Sequence, residues 1–240
     1  MTGRKSAKHL IIGGGIIGCS IAYHLAKNGE TDIVLLERAN LTEGATWHAA
    51  GLVGQLRSSR NTTRMLKKSV EMYDKLQNEE GFQFDWKKTG SLRLASSKER
   101  LLEAKRLTTM ARSFDLEMLI ISPQEAKELF PLIEENGLHG AAFIPSDGYV
   151  DPSALCSAIA NAARKYGAQI NQNIAVLDFI KNDRRIKEVK TSNCVYEVEN
   201  VILAAGMWSR ELGAKLGIKV PTCAVEHQYK LDKERLISKI

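Results

Sequence analysis

Gly13, Gly15 and Gly18 stand at the spacing G-x-G-x-x-G, which suits the binding of a pyrophosphate. The first glycine permits a tight strand-to-helix turn, and the second lets the pyrophosphate approach the backbone. The third lets the helix pack closely on its strand. The N-terminus of that helix offers free N–H groups and a positive dipole end to the phosphates. Glu37 follows about 20 residues beyond the last glycine, where a carboxylate accepts hydrogen bonds from ribose hydroxyls and disfavours a 2′-phosphate.

These residues need a βαβ unit to hold them. Residues 8–13 form a short apolar run ending in glycine and are predicted as a buried strand. Residues 17–27 are predicted as a helix with Ile21, Ala22, Leu25 and Ala26 on its apolar side, stopped by Asn28-Gly29. Residues 32–37 read as a second buried strand, giving a right-handed parallel unit. The βαβ repeat then stops. Residues 40–54 are rich in Gly, Ala and Thr, and an amphipathic helix is expected over 62–80. Residues 91–95 alternate like a strand, and 98–114 read as helix. Ser122-Pro123-Gln124-Glu125 has the form of a capping box, and Asp151-Pro152 opens another helix ending at Tyr166-Gly167. Strands are expected at 169–171, 175–181, 185–191 and 194–198, the last leading into an apolar strand at 199–205 closed by Gly206.

Composition narrows the class. The 240 residues are 44% hydrophobic and 26% charged, an ordinary balance for a globular chain able to bury a sizeable core. The apolar runs are far shorter than the roughly 20 residues a membrane helix needs, and the first nine residues lack the apolar region of a secretion signal. The net charge of +6 is spread among 28 acidic residues, and the basic cluster Arg57, Arg60, Arg64, Lys67 and Lys68 reads as a solvated helix face. Neither a nucleic acid nor a membrane is expected as a partner. Cys19, Cys156, Cys194 and Cys223 are widely spaced, fit reduced thiols, and form no metal-ligand pattern. The expected location is the cytoplasm, or the mitochondrial matrix if the source is eukaryotic.

An NAD dehydrogenase would continue its doubly wound sheet with more βαβ units. This chain departs at residue 40 and returns late with Val201-Ile-Leu-Ala-Ala-Gly206, a flavoprotein pattern. Five further segments sharpen that reading: Thr42-Glu-Gly-Ala-Thr-Trp-His48-Ala-Ala-Gly51-Leu, Gly90-Ser-Leu-Arg-Leu-Ala95, Ser146-Asp-Gly-Tyr-Val-Asp-Pro152, Ala204-Ala-Gly-Met-Trp-Ser209 and Val225-Glu-His-Gln-Tyr229. In content and order they resemble the dimethylglycine and sarcosine dehydrogenase family, FAD-dependent oxidoreductases of the D-amino-acid-oxidase and glycine-oxidase class. The resemblance runs to Tyr229 and corresponds to an N-terminal portion of that family. It implies an α/β fold: an FAD-binding Rossmann-like domain of the glutathione-reductase type, at 1–85 and 150–222, with an inserted and incomplete α+β substrate domain at 86–149 and 223–240.

The resemblance also implies residue roles. Gly13, Gly15, Ile16, Ile17, Gly18, Glu37 and Arg38 would serve the ADP end. Thr46, Ala49 and Ala50 would lie along the ribityl chain and pyrophosphate. Val176, beside Ala175, would present backbone to the adenine, while Ala205 and Gly206 let backbone pass close to the cofactor. His48 would carry the flavin covalently through the 8α-methyl. His227 would sit over the flavin face as the catalytic histidine, helping to keep a substrate amine unprotonated. Trp47, Trp86 and Trp208 read as packing residues. The implied reaction is hydride transfer from an N-methylated amino acid to flavin, with oxidative N-demethylation and oxygen or an electron-transfer flavoprotein as acceptor. Tetrahydrofolate would enter only through a further C-terminal domain. A truncated or regulatory FAD-binding module, or an oxidase of another amino or hydroxy acid, are the competing readings. After Tyr229 the likeness gives way to a charged stretch, 230–240, expected to be helical.

Overall fold

A computed structural model describes residues 3–226. In chain order, β1 (Gly3–Ile12), α1 (Ile16–Lys27) and β2 (Ile33–Leu36) form the opening βαβ unit. Next come β3 (Leu52–Val53), α2 (Arg60–Asn78), β4 (Ser91–Ala95), α3 (Lys98–Ser113), β5 (Leu119–Ile121) and α4 (Pro123–Leu129). The chain continues through β6 (Gly140–Ile144), β7 (Gly148–Tyr149), α5 (Pro152–Lys165), β8 (Gln169–Asn171), β9 (Val176–Asn182), β10 (Arg185–Thr191) and β11 (Cys194–Leu203). A 3₁₀ turn (Gly206–Trp208) then leads into α6 (Ser209–Lys215).

The principal sheet has the order β8-β2-β1-β11-β10-β9. Its first four strands run parallel, and β9-β10-β11 form an antiparallel meander joined to them through β11. Successive strand residues point to opposite faces, which separates the core into two layers. Ile11, Ile33 and Leu35 pack toward α1 and α5 with Cys19, Ala22, Leu155 and Ile159. Leu10, Ile12, Val34 and Leu36 pack on the other face with Phe179, Val189 and Tyr196 and against Leu212 of α6 and Leu216 just beyond it. Because β1, β2 and β11 end together, their C-terminal ends open at one edge, where an α/β sheet binds ligands.

The turn chemistry expected from sequence places several elements. Ser122 Oγ accepts from Glu125 N–H while the Glu125 carboxylate accepts from Ser122 N–H, a complete capping box for α4. The Asp151 carboxylate accepts from Ala154 N–H and starts α5 at Pro152. Asn28 caps α1, and Gly29 follows with φ +88°. The long helix starts earlier than expected, at Arg60, because Ser59 accepts from Thr62 N–H. The first strand begins at Gly3 rather than 8: its exposed polar half pairs in register with Cys194–Val198, a pairing that leaves no apolar pattern. The strands expected at 194–198 and 199–205 are one continuous strand, β11, which ends at Leu203.

The segment between α2 and α5 carries a separate three-stranded antiparallel sheet, β4-β6-β5. Ala104 and Ala111 of α3 cover one face with Ala142 and Ile144, and Ala126 of α4 covers the other with Ala141. A buried carboxylate ties this sheet back to the segment that follows β3. Asp147 Oδ1 accepts from the backbone N–H and the side-chain amide of Gln55, both at 3.0 Å, and Oδ2 accepts from Ser91 Oγ at 2.6 Å. Beside this knot β3 pairs with β7, so the loop after residue 50 is fixed from two sides. Among the described residues no helix is long and apolar enough to cross a membrane.

Candidate dinucleotide site

The turn after β1 is defined by what a methyl group would strike. Gly13 has φ +116°, and a Cβ there would sit 2.3 Å from the Ala204 carbonyl oxygen. A Cβ on Gly18 would sit 1.9 Å from the Gly13 carbonyl oxygen, so α1 can press onto the turn only without one. Gly14 is equally constrained, since its Cβ would meet Leu41 at 2.6 Å and the Glu37 side chain at 2.7 Å. The glycine spacing does not single out Gly14, and only the packing shows it.

Donors and acceptors around the turn are already organised. Gly13 N–H donates to Leu36 carbonyl across to β2, and Gly14 N–H donates to Glu37 Oε2 at 2.6 Å. The other Glu37 oxygen accepts from Ala39 N–H at 3.0 Å. These bonds aim the carboxylate and leave each oxygen a further lone pair for a ligand hydroxyl. Ile16 N–H donates to Thr46 Oγ1 at 3.0 Å, which joins the 40–54 loop to the start of α1. The N–H groups of Gly15 and Ile17 have no protein partner among the described residues. Both residues line the cleft at the positive end of α1.

Beneath the turn, Cys19 Sγ and Cys156 Sγ both donate to the Gly14 carbonyl, at 3.6 and 3.8 Å. The neighbouring Cys156 thiol and then burial push the Cys19 thiol up, so it stays protonated and holds the turn as a donor. All four cysteines are free.

A cleft of about 1010 Å³ runs along this edge, at the upper limit of ordinary small-molecule sites. Gly13, Gly15, Ile16, Ile17, Glu37, Arg38, Thr46, Ala49, Ala50, Val176, Ala205 and Gly206 all line it. Two of the expected cofactor residues do not. Gly18 lies under the turn, where it serves helix packing. His48 is exposed on the loop, with Nδ1 3.1 Å from the Gly44 carbonyl and its ring against Trp47 at a centroid distance of 3.8 Å. That carbonyl can only accept, so Nδ1 carries a hydrogen and Nε2 is left without a protein partner among the described residues. His227 and the 230–240 stretch lie outside the described residues.

The cleft also includes residues for which no site role was expected, Trp208 among them as a packing residue. Trp208 lines it, together with Glu211, Leu212 and Lys215 of α6. Arg38 lays its guanidinium 3.9 Å from the centroid of the Trp208 ring. Trp86, by contrast, is a buried packing residue whose Nε1–H donates to Asp74 at 2.8 Å. Among the described residues no three metal-ligating side chains cluster.

A parallel sheet with a glycine turn at its ligand-binding edge, an acidic residue ending the second strand and a long cleft between them define a dinucleotide-binding class of α/β protein. Residues 8–233 match the FAD dependent oxidoreductase (DAO) family, and the chain belongs to it. It is 38% identical to mitochondrial sarcosine dehydrogenase of Mus musculus, over 94% of this chain and 25% of that protein. It is likewise 38% identical to mitochondrial dimethylglycine dehydrogenase of Rattus norvegicus, over 94% of this chain and 26% of that protein. The chain thus spans about a quarter of the length of these relatives. Among solved structures, L-proline dehydrogenase from P. horikoshii superposes with a TM-score of 0.84 at 32% identity, covering 90% of this chain and 57% of that one.

Proposed function

We propose that this chain binds FAD along the cleft and belongs to an oxidoreductase acting on an N-methylated amino acid of the sarcosine or dimethylglycine type. The observation that carries the FAD assignment is the single cleft joining Gly13, Gly15 and Glu37 at one end to Thr46, Ala49 and Ala50 along its course. The similarity to sarcosine and dimethylglycine dehydrogenases supports the substrate class. When bound, FAD supplies a hydride acceptor, chemistry that no side chain of the chain offers.

The chain's own residues bind, orient and tune. Gly15 and Ile17 N–H groups receive the pyrophosphate, and the Glu37 carboxylate receives ribose hydroxyls. Ala205 and Gly206 carry backbone close along the cofactor. Gly18 holds the turn from below. His48 offers Nε2 for covalent attachment to the 8α-methyl, because its Nδ1–H is committed to Gly44. His227 serves as the neutral base that keeps the substrate amine unprotonated, the form able to release hydride. Residues 1–85 and 150–222 act as the FAD-binding domain. The β4-β6-β5 sheet, within 86–149, belongs to the substrate domain together with 223–240. Oxygen or an electron-transfer flavoprotein takes the electrons, and a tetrahydrofolate domain, where one follows, takes the one-carbon unit. The relatives' mitochondrial names support a matrix location in a eukaryotic source.

The test is turnover of sarcosine and dimethylglycine by the full reading frame with an artificial electron acceptor. Formaldehyde release with loss of one methyl group supports oxidative N-demethylation. Ammonia release from primary amino acids without formaldehyde would replace this reading with a deaminating one.

A further inference from the structure

A second cavity, of about 610 Å³, lies between the first half of α2 and the end of α3. α2 packs inward through Thr63, Val70 and Leu76, and this leaves Arg60, Arg64 and Lys68 exposed along the cavity. Their four-residue spacing sets them in one stripe, about 6 Å apart and about 12 Å from end to end. Two of the basic side chains here are already engaged. Lys67 Nζ donates to the carbonyls of Phe114 and Asp115 and so closes the end of α3, and Lys68 pairs with Glu71 at 2.6 Å. Among the described residues Arg60 and Arg64 pair with no carboxylate.

This arrangement works against the helix that carries it. Like charges four residues apart repel, and the first turn of α2 holds no acid, although the positive end of the helix dipole favours one. Anions arriving from outside relieve both costs. A stripe about 12 Å long exceeds the span of one small anion and suits carboxylates carried in series. Met65, 69% exposed, stands in the same cavity beside Phe114 and offers an apolar contact, a pairing of methionine with arginine that is enriched at protein interfaces. Glu71 and Asp115 also line the cavity and would repel a continuous phosphate backbone. We infer that this face of α2 docks an acidic helical segment of a partner protein, with carboxylates recurring every fourth residue. Arg60 and Arg64 each take one carboxylate through the guanidinium fork, and an apolar side chain of the segment covers Met65.

The experiment is a fluorescence-anisotropy titration of the full reading frame with a labelled, alanine- and leucine-rich helical peptide bearing glutamate at every fourth position. The wild type binds this peptide and not its glutamine counterpart, and the affinity falls several-fold as salt rises. Arg60→Gln combined with Arg64→Gln weakens the peptide at least about tenfold, the loss of two charged contacts. The same double variant melts at or above the wild-type temperature, because two like charges leave the positive end of the helix. Lys187→Gln combined with Lys190→Gln removes equal charge from exposed positions on β10 and leaves the affinity unchanged. A wild type that ignores the acidic peptide would overturn the proposal. So would equal losses in the two double variants, which would reduce the effect to net charge. A double arginine variant that melts well below the wild type would show that the arginines serve the fold instead. Duplex DNA that binds more tightly than the peptide would replace the acidic segment with a nucleic acid.

Discussion

The two ends of the cleft are built differently. At the glycine turn, three glycines are enforced by backbone or side-chain atoms closer than 3 Å to any added methyl, and the Glu37 carboxylate is aimed by two N–H donors. Along the 44–54 loop, Trp47 is 52% exposed and Leu52 82% exposed, and short contacts from Gly44, Thr46 and Asp147 hold the segment. On the proposed FAD reading, the turn that would meet the phosphates is pre-organised by the core, whereas the loop presents apolar side chains that a bound flavin ring would cover. Recognition of ADP is therefore expected to survive changes at the exposed Trp47 and Leu52, and loss of the turn to abolish both halves.

Substitutions can break or sharpen this contrast. Gly18→Ala should have the largest effect. Its Cβ would meet the Gly13 carbonyl at 1.9 Å, and backbone cannot rotate away as a side chain can. A destabilisation of at least about 1–3 kcal/mol is expected, with FAD affinity reduced at least tenfold, read by thermal melting and flavin fluorescence. Asp147→Ala should come next in stability, because Gln55 N–H and Ser91 Oγ–H would lose a buried charged acceptor. A cost of about 1–3 kcal/mol is expected from urea melts, with riboflavin affinity falling more than ADP affinity. Equal losses at both ends would erase the distinction between them.

Glu37→Gln retains one acceptor oxygen and removes the charge. It should weaken ADP about tenfold while improving 2′-phosphorylated ADP relative to ADP, measured by competition. If that ratio does not move, Glu37 does not face the ribose. The smallest effect on folding belongs to His48→Ala. The side chain is exposed, so stability should change by less than about 0.5 kcal/mol. Flavin fluorescence on a denaturing gel should nonetheless vanish. Retention of that signal would refute attachment at His48.

The opening βαβ unit was legible because apolar periodicity, glycine spacing and a terminal carboxylate all agree over a short stretch. The helix starts at Ser122 and Asp151 were legible for a similar reason, since capping is local chemistry. Other features depend on contacts distant in sequence. Gly14 is required only because Leu41 and Glu37 fold back over it. β6, with sequence Gly-Ala-Ala-Phe-Ile, lacks the β-branched signature because its alanines must be small to admit helices α3 and α4 on both faces. β3 and β7 are two residues each, too short to leave a period. Trp208 read as packing, and it does pack, but on Arg38 inside the cleft. α6 carries no cap signal, and its contribution to the cleft follows from where β11 delivers it.

The most direct test of FAD binding along this cleft is an equilibrium titration of the His48→Ala chain with FAD, with and without ADP. Removing the proposed attachment point makes the exchange reversible. One FAD bound per chain, displaced competitively by ADP, is the predicted result. A folded chain that takes up no FAD, or takes it up indifferently to ADP, would contradict the account.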